Sequence, residues 1–164
     1  MNRFLSEESI SEHKEYHRGL RLRYSIYESS IIGLKEYGPQ SLNQRRYPER
    51  DKLINLYSDI ILHDCFFSSF GEAHTPSRRV KEHYGSEGLF LAKVIEVATL
   101  CEYGFIGIRV ERGRPIIEKA SPTLASEYIL AIDLWEHAYF RDWHFRRNEY
   151  VAKAVRYLNL GLLD

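Results

Sequence analysis

The chain has no surplus of either charge: 23 Lys and Arg stand against 23 Asp and Glu in 164 residues. That removes the simplest case for binding nucleic acid or an anionic membrane, since both draw on a basic excess. Cysteine is scarce. Cys65 and Cys101 form no CxxC pair and are too few for a disulfide framework, so they read as free, buried thiols. No uninterrupted apolar run approaches membrane length. The opening Met1-Asn2-Arg3-Phe4-Leu5-Ser6-Glu7-Glu8 offers no apolar stretch for a secretion signal. Repeats and low-complexity tracts are lacking too. These absences set the expectation of a soluble cytoplasmic protein with no nucleic-acid or membrane partner, and the length suffices for a real core.

Aromatic residues are plentiful, with 12 Tyr and 8 Phe. They read as core and channel lining rather than a stacking platform. The first two thirds of the sequence read as helical. Ser6 with Glu7 and Glu8 predicts a helix start whose acidic first turn suits the helix dipole. That helix runs to about Tyr37, where Gly38-Pro39 stops it. Residues 39–48 read as a loop. A second helix is predicted over 49–70, with Leu53, Leu56, Ile60, His63 and Phe67 on one stripe. Residues 71–79 read as a loop, and a third helix spans 86–102. The pattern then changes. Residues 105–110 and 115–120 are short β-like runs around a hairpin turn at 111–114. Residues 127–133 form a third strand, apolar enough to be covered on both faces. A last helix covers 148–160. The expected fold is α+β, with a helical hairpin domain over 1–80 and a domain of antiparallel sheet and helices over 81–164.

Three segments set imidazoles and carboxylates at short spacing: His13 with His17, Asp59 with His63, and Asp133 with His137. Such donors suit iron or manganese. Each pair alone is weak evidence, since a lone histidine on an apolar face is more often a hydrogen-bonded core histidine than a ligand. Three pairs in successive elements bring a metal site to about even terms with that plainer reading. His74, His83 and His144 sit in polar or mixed segments and read as surface. Arg45-Arg46, Arg78-Arg79 and Arg146-Arg147 read as solvated basic pairs.

The stretch Asp133-Leu134-Trp135-Glu136-His137-Ala138-Tyr139-Phe140 resembles the DxWEHAYY signature of the iron/manganese superoxide dismutases. Arg147 and Tyr150 fall on the Arg and Tyr of that family's RPxY stretch, with Asn148 in place of its proline, and Asn159 falls on the Asn of its terminal NW. Leu62-His63-Asp64-Cys65-Phe66-Phe67 is similar to its NHxFYW segment. The run from Leu5-Ser6 through His13 and His17 is similar to its first ligand segment. Tyr84-Gly85-Ser86 with Tyr103-Gly104-Phe105 resembles its FGS…GSGW region. The resemblance implies the dismutase fold and one iron or manganese ion per chain, held by His13, His63, Asp133 and His137. Three neutral imidazoles and one carboxylate leave a divalent ion with a net charge of about plus one. Oxidation adds a charge unless a proton leaves a fifth, solvent ligand, so electron and proton move together.

The outer positions depart from the family. Its gateway tyrosine is Arg21 here, with Tyr24 about a turn further on. The glutamine that one branch places four residues before the second ligand His is Asp59. Another branch's glutamine position reads Ala120-Ser121-Pro122, and the GSGW tryptophan is Phe105. Arg21, Asp59 and Tyr24 are therefore the candidate catalytic residues. In one reading Asp59 accepts a proton from the metal's solvent ligand and Arg21 grips an anionic substrate. In the other they face solvent or pair with each other. In the family the Glu of WEHAYY reaches the ligand His of the partner subunit across a two-fold axis. Glu136 and His17 accordingly stand as dimer-bridge candidates, and a homodimer is expected, although the interface tyrosine is Phe140 here. Three functions follow from the resemblance: a superoxide dismutase, a diverged enzyme that activates dioxygen against a small organic anion, or a non-enzymatic interaction subunit. Retention of all four ligand types favours an enzyme.

Overall fold

The computed structural model describes residues 4–35, 46–71 and 75–164. The stop at Gly38-Pro39 and His74 lie outside the described residues, as does most of the loop expected over 39–48.

Helix α1 spans Glu7–Lys35. Ser6 begins it as read from the sequence: its hydroxyl accepts from the Ser9 amide at 3.1 Å, and its own amide donates to Asp142 at 2.7 Å. Among the described side chains of α1 the buried ones are Ser9, His13, His17 and Leu20. They are mostly polar, so the face that α1 buries is chemical rather than greasy. Helix α2, Arg46–Ser68, begins earlier than expected. It buries Ser58, Ile60, Leu62, His63, Cys65 and Phe66 against α1 and residues 122–133.

Helix α3, Arg78–Tyr84, was not expected, because seven residues with one buried side chain, Val80, carry no readable period. Its start is held from a distance. Ser77 caps the Val80 amide, and the Asp164 carboxylate accepts from the Arg78 and Arg79 amides at 3.0 Å each. Those amides and the Ser77 hydroxyl pull the Asp164 carboxyl down to about 2. Helix α4, Glu87–Leu100, is capped by Ser86. The Arg147 guanidinium closes its other end by donating to the carbonyls of Cys101 and Glu102 at 2.6 Å.

Strands β1, Phe105–Glu111, β2, Arg114–Lys119, and β3, Leu130–Asp133, form an antiparallel sheet in the order β2-β1-β3. The β1–β2 turn places Arg112 and Gly113 at φ 48° and 79°, the backbone of a tight hairpin. The register pairs Phe105 with Asp133 and Gly107 with Ala131. The third strand is shorter than expected. Pro122–Glu127 forms a 3-10 turn, and the Tyr128 ring then folds across Gly107. All four β3 residues are buried, consistent with cover on both faces.

Helix α5 spans Glu136–Trp143 and α6 spans Arg147–Ala154. The last helix stops six residues short of the expected end. Leu158 pairs with Phe70, and the Asn159 amide donates to the Ser69 carbonyl at 2.9 Å. That bridge draws the chain out of helix and ties the carboxyl-terminal segment to the end of α2. One apolar core runs from Val80, Phe90 and Val94 through Ile106, Ile108, Leu130 and Ile132 to Tyr150, Leu158, Leu160 and Leu163. None of the described helices is long and apolar enough to cross a membrane.

Candidate metal centre

Four elements converge where the helical hairpin meets the end of β3. Helix α1 supplies His13, α2 supplies His63, β3 ends on Asp133, and the first turn of α5 supplies His137. One donor atom from each lies within 4.8 Å of all the others. The Asp133 Oδ2 stands 3.1 Å from His13 Nε2, 3.1 Å from His137 Nε2 and 3.5 Å from His63 Nε2. The two Nε2 atoms of His63 and His137 are 3.2 Å apart. Donors that share one ion at roughly 2.1 Å stand roughly 3 to 4 Å from each other, so these spacings suit a common cation.

The outer contacts aim the donors inward. The Asp133 Oδ1 accepts from the Trp135 amide at 2.8 Å, which leaves Oδ2 for the centre. The Asp133 carbonyl accepts from the buried Tyr150 hydroxyl at 2.9 Å. His63 Nδ1 lies 2.6 Å from the Asp59 carbonyl. A carbonyl only accepts, so Nδ1 carries the proton and Nε2 turns a lone pair inward. A lone pair facing a carboxylate oxygen at 3.5 Å is unfavourable unless a positive charge lies between them. Asp133 Oδ2 and His13 Nε2 are buried, and neither completes a hydrogen bond despite their closeness. Buried polar atoms without partners are rare and need an explanation; a bound cation supplies one, and the donor set fits iron or manganese.

Burial alone would raise the Asp133 carboxyl, but the facing imidazoles of His13, His137 and His63 hold it below its ordinary value. Burial pushes His63 down to about 4, only partly offset by Asp133 and the Asp59 carbonyl. Both groups therefore sit in the protonation state that a metal requires. A stability consequence follows for the metal-free protein. Above pH 6.5 His63 is neutral whether folded or not. Between about 6.5 and 4 the unfolded chain takes up a proton that the folded site refuses, so stability falls as pH falls. The loss amounts to about 3 kcal/mol across that window. Urea titrations at a series of pH values are expected to show it, and His63→Gln is expected to flatten the profile. An equally steep loss in the variant would assign the effect elsewhere.

Aromatic rings close the centre. His13 packs 4.9 Å from both Phe66 and Phe67, and Phe105 meets His63 edge-on at 5.0 Å. Phe105 thus takes its place beside the ligand set. The remaining candidates divide. Asp59 is half-buried; burial and the Asp133 charge raise its carboxyl, while His137 and Arg23 oppose the shift. Arg21 forks onto Asp64, with contacts of 2.8 and 2.6 Å, rather than meeting Asp59. Tyr24 donates to Glu28 at 3.3 Å and stands about 16 Å along α1 from His13. Glu136 is exposed at the start of α5. His17 is buried, stacks on the His63 ring at 5.5 Å and has its Nε2 3.5 Å from Asp64. Burial lowers its basicity, with Asp64 opposing.

Three residues near the site escaped sequence reading. Tyr16 stacks on His137, Arg23 lies over Tyr16, and Asp64 holds both Arg21 and His17. A helical wheel anchored on His13 would have found Tyr16, three residues on. Asp64 follows a ligand candidate directly in sequence and carried no further signal. Cys65 is free and buried as expected, and burial raises its thiol to about 11, which keeps it unreactive. Cys101 is free and half-buried. His83 and His144 are exposed.

The family model for the C-terminal domain of iron/manganese superoxide dismutases matches residues 77–162. That span contains Asp133 and His137, whereas His13 and His63 lie ahead of it. No curated protein matches the chain. The matched span covers more than half of the sequence and includes the whole sheet and the first turn of α5, and the chain belongs to the iron/manganese superoxide dismutase family.

Proposed function

We propose that the protein is an iron- or manganese-dependent oxidoreductase that disproportionates superoxide, with His13, His63, Asp133 and His137 holding one ion per chain. The observation that carries this reading is the convergence of three imidazoles and one carboxylate, two of whose donor atoms are buried without hydrogen bonds. A redox ion bound there would supply one-electron chemistry: one superoxide loses an electron and leaves as dioxygen, and a second gains one with two protons and leaves as hydrogen peroxide.

The chain's own residues prepare the site for that chemistry. Asp133 supplies the one full negative charge among the ligands and keeps it because the imidazoles face it. Asp59, with its carboxyl raised by burial and by Asp133, is suited to hold a proton beside the centre. Phe66, Phe67 and Phe105 exclude water from the imidazoles, so small changes in hydrogen bonding weigh more on the metal. Arg21 is charge-compensated by Asp64; an enzyme acting on a small organic anion would have to free that guanidinium first. The same reading makes the protein a homodimer. Glu136, with the exposed rings of Trp135 and Phe140, would face a second copy around a two-fold axis.

The test joins metal analysis to a superoxide-consumption assay on the purified full chain. About one iron or manganese per chain is expected, with consumption that vanishes on chelation and returns on reloading. A loaded protein that leaves superoxide untouched would point to a different reaction. A protein that takes up neither metal would return it to the class of interaction subunits.

A further inference from the structure

One row of side chains on α1 leads from the centre outward. His13, His17 and Arg21 recur every fourth residue and share one helix face. Their side chains are 0%, 11% and 55% exposed in that order. Helix α2 answers the row with two adjacent residues, His63 in the cluster and Asp64 at the surface. The His17 ring stacks on the His63 ring at 5.5 Å and 13°, one layer removed from the ligand set.

Asp64 faces the two outer members of the row. Arg21 Nη2 meets Asp64 Oδ1 at 2.8 Å and Oδ2 at 2.6 Å. His17 Nε2 stands 3.5 Å from the same Oδ1, is buried and completes no hydrogen bond. A carboxylate only accepts, so the tautomer that suits this seam carries its proton on Nε2. The two-fold reading supplies no better partner, because the family's interface tyrosine is Phe140 here and has no hydroxyl. A guanidinium and a buried imidazole converging on one carboxylate head form a receptor for a small anion, and this receptor is filled from within. The ion pair is half-exposed, at 55% and 45%, where such pairs add little to stability. Its consequence lies in the charge it cancels.

We propose that Asp64 is a specificity-determining residue whose carboxylate masks a small-anion site built by Arg21 and His17 beside the ligand cluster. The ligand class is a small monovalent anion, such as a simple carboxylate or superoxide itself. With Asp64 in place the charges of the pair cancel, and the pair draws no anion toward the centre. Removing that carboxylate leaves an unopposed cation on the solvent side of the His17–His63 stack. The bearing on superoxide rests on the metal-dependent reading above, whereas the anion site is made of protein groups alone.

The experiment titrates formate, a carboxylate head without a side chain, into the full chain by calorimetry, once metal-free and once loaded with Mn(II). Four forms are compared: wild type, Asp64→Asn, Arg21→Gln and the double variant. Asparagine keeps the shape of the half-exposed Asp64 and removes its charge, so the fold is retained. Asp64→Asn is expected to bind formate roughly tenfold more tightly than wild type, with or without the metal. Arg21→Gln is expected to change little while Asp64 fills the site, and to abolish the gain on the Asp64→Asn background. That non-additivity separates a masked site from a general change of charge. In the loaded protein, superoxide consumption by Asp64→Asn is expected to fall more steeply with added salt than that of wild type. If Asp64→Asn takes up formate no better than wild type, or if the double variant binds as tightly as Asp64→Asn, the masked site is overturned while the metal reading stands. If no form holds metal but metal-free Asp64→Asn gains formate through Arg21, the anion site stands and the metal reading fails.

Discussion

Asp133→Asn is expected to strip the protein of metal while leaving the fold intact. The side chains have the same shape. The amide oxygen can continue to accept from the Trp135 amide, as Oδ1 does now at 2.8 Å. The amide nitrogen then occupies the position of Oδ2, facing His13 and His137 at 3.1 Å and His63 at 3.5 Å. An amide nitrogen donates hydrogen bonds and offers no lone pair to a cation. In the metal-free protein this substitution is mild, because a neutral donor meets imidazole lone pairs where a buried carboxylate met them before. With metal the effect is large. An ion present at a thousand times its dissociation constant stabilises the folded state by about 4 kcal/mol. For a chain of this size that amounts to roughly 8 to 16 °C in melting temperature. Wild type is therefore expected to gain that interval when iron or manganese is added, and Asp133→Asn to gain none, with its metal content falling from about one per chain to near zero. Paired melting curves with metal analysis decide it. A variant that keeps both the ion and the thermal gain would remove Asp133 from the ligand set.

The fold was legible where a single period dominates. The short β-like runs at 105–110 and 115–120 marked the hairpin, and Ser6 with its acidic first turn marked a helix start. It was illegible where distant groups decide. Near residues 78–84 only the Ser77 cap announces α3, and the Asp164 carboxylate holds its first amides from about 85 positions away. The end of the last helix depends on Leu158 pairing with Phe70, which no local propensity encodes. The candidate ligands are a special case. On α1 the buried face is Ser9, His13, His17 and Leu20, so a search for apolar stripes passes over it. The imidazole and carboxylate spacings drew notice, and the likeness to DxWEHAYY gave them meaning. Outer residues such as Asp64 and Tyr16 stayed hidden because their roles come from packing between α1, α2 and α5, which sequence spacing alone does not reveal. Arg21 illustrates the same limit: position suggested a substrate grip, and the structure gives the guanidinium to Asp64.

Gly107→Ala is expected to destabilise the protein severely although the change is one methyl group. Gly107 lies in the middle of β1, paired with Glu118 on one side and Ala131 on the other. A Cβ built there would stand 2.3 Å from Tyr128 Cδ1, 2.4 Å from Cε1 and 2.7 Å from Cγ. Carbon atoms do not approach that closely, so the ring or the strand must move. The ring is tethered. Its hydroxyl accepts from the Ser121 amide at 2.9 Å and donates to Glu118 at 3.0 Å, and Glu118 in turn holds Arg109 at 2.9 Å. Displacing Tyr128 therefore breaks hydrogen bonds as well as packing. Overpacking costs about 1 to 3 kcal/mol and each of the two lost hydrogen bonds about 1 kcal/mol, which sums to roughly 3 to 5 kcal/mol and a melting temperature lower by about 6 to 20 °C. The strand itself favours alanine slightly over glycine, so the sign of the effect isolates the ring. Tyr128→Ala alone is expected to cost about 3 to 5 kcal/mol. On that background Gly107→Ala is expected to be neutral or mildly stabilising, because the space the ring occupied is empty. A double-mutant cycle measures the coupling directly. Additive losses in the cycle would show that the glycine answers to the backbone rather than to Tyr128, and that the ring does not set the course of the chain between Pro122 and the strand that ends at Asp133.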